Sequence, residues 1–218
     1  MRTYMRSMSI ASRTILEDYR SRLDTEGDEA LESIILNAKQ ASQLVDGLLE
    51  FTRLGRHEIS KEVVGLSSMA DDLAEVLSET EFNRPIEFDI EPGLTAYADP
   101  RLLRVVVANL LENGCKYQPR AGTGRVLLRK LEDHEGLDQF CVSDNGVGFD
   151  MAFAHKLFKP FERLHRDADF PGNGIGLANV RRIIDKHGGH VWAESREKEG
   201  ANFYFTLPQA PADAEAQP

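Results

Sequence analysis

The stretch Asp144-Asn145-Gly146-Val147-Gly148 decides how the second half of this chain is interpreted. Three further motifs accompany it: Asn109-Leu110-Leu111-Glu112-Asn113, Phe158-Lys159-Pro160-Phe161-Glu162-Arg163 and Gly172-Asn173-Gly174-Ile175-Gly176-Leu177. One glycine motif alone would be a weak signal. Four motifs in this order and spacing predict a nucleotide site with an adenine anchor, a metal-binding helix, a lid and a phosphate loop. We therefore predict that the chain binds ATP.

Asp144 stands at the end of an apolar strand and is followed by Gly146 and Gly148. Backbone that carries no side chain can lie close to a flat ligand. The Asp144 carboxylate is then a suitable acceptor for the exocyclic amine of adenine. A glycine turn capped by an aspartate is the alternative for this pentapeptide taken alone, and the three other motifs favour the adenine anchor.

Asn109 and Asn113 lie one helical turn apart, and Lys116 follows on nearly the same face. An amide oxygen is a hard neutral ligand that can share a Mg²⁺ with phosphate oxygens, and an ammonium group beside it neutralises phosphate charge. Ordinary polar decoration of the helix is the alternative. Asparagine is a poor helix former, so two of them in a Val/Leu-rich helix favour a ligand role.

The glycine run 172–177 opens directly into a predicted helix, so free backbone N–H groups and the helix dipole converge where phosphates would sit. A linker is the alternative, but linkers rarely end in an apolar stripe such as Leu177, Val180, Ile183 and Ile184. The preceding stretch, 149–171, mixes aromatic and charged residues and is long for a connection. It is predicted to be a lid.

The order of elements predicts an α+β protein: a two-layer α/β sandwich preceded by an antiparallel helical hairpin. The predicted domains are the hairpin at 1–58, the nucleotide-binding domain at 59–208 and a disordered tail at 209–218 that has no aromatic residue. The predicted helices are about Ser7–Leu23, Ser67–Leu77 capped by Ser67 or Ser68, Pro100 to about Tyr117 capped by Asp99, and about Ile175–His187. The predicted strands are Ile86–Ile90, Thr95–Ala98, Arg125–Leu131, Phe140–Ser143, His190–Ser195 and Asn202–Leu207.

The second hairpin helix carries a heptad seam, and Asp24–Asp28 is predicted as the turn before it. The seam residues alternate steps of three and four: Leu31, Ile34, Ala38, Ala41, Val45, Leu48 and Thr52. A small hairpin cannot cover its seam alone, so we expect a homodimeric four-helix bundle through residues 1–58, with Val45 and Leu48 near its centre. Docking of the seam on the chain's own α/β domain is the alternative.

Composition restricts the partners and the compartment. The net charge of −10 and the pI near 5.1 argue against nucleic acid or anionic membrane as partners. No apolar run approaches the roughly 20 residues of a membrane helix. Cys115 and Cys141 lie in apolar runs, which predicts buried reduced thiols and a cytoplasmic location. The six histidines are expected to face solvent or to cap helices, and none is an obvious nucleophile: His57, His134, His155, His165, His187 and His190.

The four motifs resemble the catalytic domain of sensor histidine kinases, in the GHKL superfamily shared with gyrase, Hsp90 and MutL. The stretches 157–165, 170–177 and 186–189 look like the phytochrome-type branch. The resemblance implies the Bergerat-type ATP-binding fold, ATP and Mg²⁺ as ligands, and a response regulator receiver domain as partner. It also implies a protein histidine kinase of a two-component system.

The resemblance also implies roles for individual residues. Asn113 holds Mg²⁺ with support from Asn109, Lys116 and Tyr117 line the phosphate and base side, and Asp144 holds adenine beside Gly146 and Gly148. Phe158, Phe161 and Arg163 belong to the lid, and the phosphate loop comprises Gly172, Asn173, Gly174, Ile175, Gly176 and Leu177.

The sequence departs from the family pattern in two places. Only Gly200 remains of a glycine pair near the C-terminus, so contacts on the adenine side are expected to be weaker. Residues 1–7 look like the tail of the phosphoacceptor box, with Tyr4 in place of proline and the histidine falling just before residue 1. Either a longer kinase is truncated, or a short protein binds ATP without autophosphorylation and docks a response regulator or another kinase.

A rival class is an ATP-hydrolysing conformational machine of the gyrase or MutL type. Such proteins need a carboxylate one turn before the metal-binding asparagine to activate water, and here that place is taken by Asn109.

Overall fold

The structure is a computed structural model that describes residues 2–54, 58–79, 85–118, 122–133, 135–164, 170 and 174–211. The helices are α1 (Arg2–Tyr19), α2 (Thr25–Leu54), α3 (Leu66–Ser78), α4 (Pro100–Lys116) and α5 (Gly176–His187), with 3₁₀ turns at Arg20–Arg22 and Met151–Lys156. The strands are β1 (Glu62–Gly65), β2 (Ile86–Ile90), β3 (Thr95–Ala98), β4 (Gly124–Lys130), β5 (Leu137–Asp144), β6 (Val191–Arg196) and β7 (Gly200–Pro208).

The main sheet has the strand order β2-β4-β5-β7-β6, in which only the β2–β4 pair is parallel. Helices α3, α4 and α5 pack beside one another and contact this sheet. Alternate strand residues such as Val126, Leu128 and Phe140 are buried in the core together with Val106 and Ile184 from the helices. The predicted α+β fold of two layers is therefore confirmed.

Helix α4 begins where the sequence predicts it. Asp99 is the N-cap, and its side chain accepts hydrogen bonds from the backbone N–H groups of Arg101 (3.0 Å) and Leu102 (3.2 Å), with Pro100 in the first turn. An aspartate cap followed by proline satisfies free N–H groups and presets the helical φ angle. This cap fixes the start of the helix that carries the asparagines of the predicted site.

The predicted cap of α3 is wrong. The helix begins at Leu66 with Gly65 as N-cap, and within the described part of the chain no side chain caps it. The Ser67 hydroxyl instead donates to the carbonyl of Glu91 and accepts the N–H of Leu94. The hydroxyl is used to fix the turn between β2 and β3, which is a long-range contact that the local sequence does not show.

Strand β1 was not predicted. It has only four residues, and it pairs with β3 as an antiparallel two-stranded sheet. The predicted boundary near residue 58 falls between α2 and β1 and remains a prediction. Residues 212–218 of the predicted tail lie outside the described residues.

The interhelical turn of the hairpin is shorter than predicted. Helix α2 already begins at Thr25, because the Asp24 carboxylate accepts the N–H of Gly27 at 2.8 Å and caps the new helix.

Along the predicted seam, Ala38 is buried but Ile34 is 43% exposed, and the side chain of Leu48 lies outside the described residues. Ile34 is therefore not fully covered within one chain, although α2 does contact α5 of the α/β domain.

Two predictions about buried groups have different outcomes. Both cysteines are buried free thiols, as predicted. The expectation that His187 faces solvent or caps a helix is wrong, because His187 is 2% exposed. Its Nε2 accepts the N–H of Asp99 and its Nδ1 lies 2.8 Å from the carbonyl of Ile183. Burial lowers the pKa of His187, so it is a neutral part of the core.

No helix in the described part of the chain combines the length and the hydropathy that a bilayer-crossing segment requires.

Candidate functional site

A cavity opens between α4, the end of β5 and the start of α5. From α4 it is lined by Asn109, Glu112, Asn113 and Lys116. The Asn109 Nδ2 donates to the carbonyl of Val105 at 2.7 Å, which leaves its Oδ1 as an acceptor. A Cβ on Gly176 would lie 2.4 Å from this Oδ1, so a larger residue at position 176 would require the Asn109 side chain to move.

Asp144 ends β5 and lines the cavity. Its Oδ1 accepts the N–H of Gly146 at 2.7 Å. Burial raises the pKa of Asp144 to about 7, and hydrogen bonds from the N–H groups of Gly146 and Ala201 only partly offset that effect. This half-buried carboxyl can accept a hydrogen bond from a ligand.

The loop after Asp144 is held by backbone contacts. Gly148 has φ +62, and a Cβ there would lie 2.0 Å from the carbonyl oxygen of Arg196. Val147 donates to the carbonyl of Tyr117 at 2.7 Å, and Phe149 donates to the hydroxyl of Ser195 at 2.9 Å. The loop is thus fixed between the end of α4 and the β6–β7 hairpin.

The N-terminus of α5 meets the same cavity through Gly174, Gly176 and Leu177. Its N-cap position is Ile175, and no side chain of the described residues caps the helix there. First-turn N–H groups without a cap, together with the helix dipole, favour an anion at this end of the cavity. The ammonium of Lys116 and the guanidinium of Arg163 line the cavity as well.

Of the three residues predicted to act in the lid, Arg163 alone is among the described residues that line the cavity. Arg163 lines the cavity and donates from Nη2 to the carbonyl of Phe170. Phe158 is partly buried against the core. Phe161 is 51% exposed with φ +66, and its N–H donates to the carbonyl of Gly174 at 2.9 Å.

The structure brings most of the predicted site residues together, although their roles remain predictions. The cavity is lined by these predicted residues: Asn109, Asn113, Lys116, Tyr117, Asp144, Gly148, Arg163, Gly174, Gly176 and Leu177. Among described residues, five that were predicted do not line it: Gly146, Phe158, Phe161, Ile175 and Gly200. Gly172 and Asn173 lie outside the described residues.

Gly146 and Gly200 shape the site without lining it. A Cβ on Gly146 would lie 2.4 Å from the carbonyl oxygen of Tyr117. Gly200 has φ +90, and a Cβ there would lie 1.9 Å from the carbonyl oxygen of Asp144. Each glycine therefore permits a close backbone contact behind the wall of the cavity.

Sequence reasoning missed seven of the described residues that line the cavity: Glu112, Phe149, Leu157, Glu162, Leu164, Ala201 and Phe203. Ala201 pairs with Asp144 across β5 and β7, and Phe203 lies two residues further along β7 on the same face. Alternation along the predicted strand 202–207 was the available signal for Phe203. Glu112 belongs to the motif at 109–113, but the sequence predicted no role for it.

The fold and the cavity together define a nucleotide-binding α/β sandwich, and comparison with known proteins agrees. Residues 98–211 match the family described as histidine kinase-, DNA gyrase B-, and HSP90-like ATPase. Because this match covers more than half of the chain, the chain belongs to that family.

Similar proteins are sensor kinases. The chain is 31% identical to cyanobacterial phytochrome B of Nostoc sp. over 93% of its own length and 27% of the relative. It is 32% identical to the adaptive-response sensory kinase SasA of Synechocystis sp., over 95% of its length and 56% of that protein. The chain thus spans about a quarter of the length of the phytochrome and just over half of the length of SasA.

Among solved structures, the crystal structure of full-length ShkA in complex with AMPPNP matches with a TM-score of 0.67 and 28% identity. The match covers 97% of this chain and 44% of ShkA. It includes the helical hairpin as well as the α/β domain, since it extends over nearly the whole chain.

Proposed function

We propose that the chain is the ATP-binding, phosphate-transferring region of a sensor histidine kinase in a two-component system. The observation that carries this proposal is the convergence of three kinds of group on one cavity. They are amide and ammonium groups from α4, the Asp144 carboxyl at the end of β5, and uncapped N–H groups at the start of α5. The Asp144 carboxyl suits the exocyclic amine of adenine, and the N-terminus of α5 suits a triphosphate.

The residues at the phosphate end fit Mg²⁺. The Asn113 side chain lines the cavity and makes no hydrogen bond to another described residue, and the Asn109 Oδ1 lies nearby at the start of α5. Amide oxygens are hard ligands that share Mg²⁺ with phosphate oxygens. When bound, the ion would neutralise charge on the phosphates. Asn113 would hold it, Asn109 would support it, and Lys116 would bind phosphate oxygens.

In this proposal the γ-phosphate passes to a histidine outside residues 1–218. Phosphoryl transfer needs a nucleophile in line with the γ-phosphate. In the described part of the chain, His187 is buried with both ring nitrogens engaged, and His155 and His190 are not among the lining residues. His57, His134 and His165 lie outside the described residues. The alternative is a dimeric ATP-binding regulator that docks a response regulator or another kinase without autophosphorylation.

Incubation with γ-labelled ATP tests this assignment. The acceptor is a histidine-bearing hairpin taken from one of the kinases that the chain resembles. We expect an acid-labile, base-stable phosphate on that hairpin with the wild-type chain and at least about tenfold less label with Asn113→Ala, because metal and phosphate binding are lost.

Three other outcomes have distinct meanings. Label on one of the chain's own histidines would overturn transfer to an outside acceptor. ATP binding without label on any protein would favour the docking alternative. Multi-turnover release of inorganic phosphate would favour the ATP-hydrolysing class, for which Glu112 would be the nearest carboxylate on α4.

We also propose that residues 1–58 form a homodimeric four-helix bundle and that a response regulator receiver domain is the downstream partner. The support for the bundle is apolar exposure. Tyr4, Met8 and Ile15 share one face of α1 and are 76%, 50% and 41% exposed. A second copy would cover this stripe together with Ile34 of α2. The buried free thiols support a reducing cytoplasm as the compartment.

Light scattering on Ile34→Asp should show a monomer, because a charge would be buried in the apolar bundle interface. Leu36→Asp is the matched control. Leu36 is 55% exposed on the same helix but points about 200° away from Ile34, so this variant should remain dimeric. A dimer that survives Ile34→Asp would place the interface elsewhere, and loss of the dimer in both variants would indicate damage to the helix itself.

A further inference from the structure

Tyr117 connects the two ends of the cavity. It directly follows α4 and lines the cavity, and its carbonyl accepts the N–H of Val147 in the loop that follows Asp144. The Tyr117 hydroxyl accepts a hydrogen bond from the Lys116 Nζ at 3.0 Å, and this ammonium lies 4.5 Å from the centre of the Tyr117 ring. The orientation of the Tyr117 ring therefore also sets the position of Lys116.

Phe170 holds the Tyr117 ring from the lid. The two ring centroids are 5.2 Å apart with planes tilted by 56°, which is a favourable aromatic arrangement. Phe170 is not among the described residues that line the cavity, whereas Tyr117 is. Phe170 thus contacts the Tyr117 ring without being one of the described wall residues, which is the arrangement of a residue that braces the ring.

The backbone of Phe170 makes a second connection. Its carbonyl accepts a hydrogen bond from the guanidinium of Arg163, a lid residue seven positions earlier that lines the cavity. Close by, the N–H of Phe161 donates to the carbonyl of Gly174. A charged donor makes a comparatively strong hydrogen bond, so Phe161 and Arg163 on one side are joined to Phe170 and Gly174 on the other.

We propose that Phe170 is a positioning residue for nucleotide binding. Its ring fixes Tyr117, and through Tyr117 the ammonium of Lys116, while its carbonyl fixes Arg163. We name Arg163, Tyr117 and Phe170 the aromatic clasp. The clasp places two cations on the cavity wall before any ligand is bound and ties the base of the lid to the end of α4. The consequence for nucleotide affinity rests on the proposed function, whereas the clasp itself does not.

Limited proteolysis without nucleotide tests the clasp. Trypsin can cut after Arg163 and Arg166 in the lid, and the cutting rate follows the open population of the segment. We expect Phe170→Ala to be cut about threefold to tenfold faster than the wild type, which corresponds to the loss of one aromatic pair. Phe170→Tyr, which keeps the ring, should be cut at the wild-type rate.

Phe153→Ala is the matched control for this experiment. Phe153 is a 47% exposed phenylalanine in the 3₁₀ turn Met151–Lys156, outside the clasp. This variant should also be cut at the wild-type rate. Equal cutting of the wild type and Phe170→Ala would overturn the clasp.

Calorimetric titration with ATP and Mg²⁺ tests the positioning role. We expect Phe170→Ala to bind ATP about threefold to tenfold more weakly and Phe170→Tyr to bind like the wild type. The loss of this one contact should lower the urea unfolding midpoint of Phe170→Ala only slightly. Faster cutting combined with unchanged ATP affinity would overturn the positioning role. A wild-type chain that binds no ATP would refute the proposed function, and the proteolysis would then still decide whether the clasp exists.

Discussion

Replacing Asp144 by asparagine is expected to weaken ATP binding by about 100-fold, because an acceptor for the adenine amine is exchanged for an amide whose NH₂ group faces another donor. The same change should make the nucleotide-free protein more stable at pH 8. Burial raises the pKa of Asp144 to about 7, so the wild type must bury a carboxylate at that pH, and asparagine removes this cost.

The direction of the pH dependence follows from the raised pKa. As the pH rises, the unfolded chain releases the Asp144 proton near pH 4, whereas the folded protein keeps it until the pH approaches 7. The stability from this group is fully present below about pH 4 and is lost as the pH rises toward 7. Asp144→Asn should therefore gain about 2 to 4 kcal/mol over the wild type at pH 8 and little at pH 4.

Calorimetric titration and urea unfolding at the two pH values measure both effects. Asp150→Asn is the control, since Asp150 is an exposed cap of the 3₁₀ turn beside the site and asparagine caps equally well. Unchanged nucleotide affinity in Asp144→Asn would remove Asp144 from the role of adenine anchor.

Gly148→Ala is expected to destabilise the protein by about 3 kcal/mol or more and to abolish nucleotide binding. The residue has φ +62, and the added Cβ would lie 2.0 Å from the carbonyl oxygen of Arg196. The backbone on both sides would have to move, and Gly148 itself lines the cavity. Urea unfolding gives the stability, and titration with ATP gives the binding.

The variant Gly93→Ala separates two causes of destabilisation, the close contact of the added Cβ and the left-handed backbone conformation. Gly93 has φ +77 but no atom within 4 Å of an added Cβ, so its substitution should cost only about 1 kcal/mol for the left-handed conformation. Equal losses in the two variants would show that the φ angle alone, and not the contact with Arg196, makes glycine necessary at position 148.

Local signals predicted the parts of the fold that depend on neighbouring residues. The start of α4 could be predicted because Asp99 and Pro100 act on the N–H groups of the next turn. The grouping of Asn109, Asn113 and Lys116 on one face followed from the helical period, and the structure places all three on the cavity. The start of α5 was likewise predictable, because a run of glycines before an apolar helix is a local pattern.

Contacts between distant segments could not be predicted in this way. Ser67 bonds across to the β2–β3 turn and leaves α3 without its expected cap. His187 enters the core because the N–H of Asp99, 88 positions earlier, donates to its ring. Nothing in the residues around either side chain indicates the partner, since the partner is brought there only by folding.

By itself, the sequence determined the chemistry of the site: a carboxyl after a strand, two amides and an ammonium on one helix face, and glycines at a helix start. Only the tertiary structure decided which other residues complete the wall. Ala201 and Phe203 reach the cavity because β7 pairs with β5 in a register that sets Ala201 opposite Asp144. The physical reason is that the chemistry belongs to individual side chains, whereas the wall is made by strand pairing and packing, which depend on the whole chain.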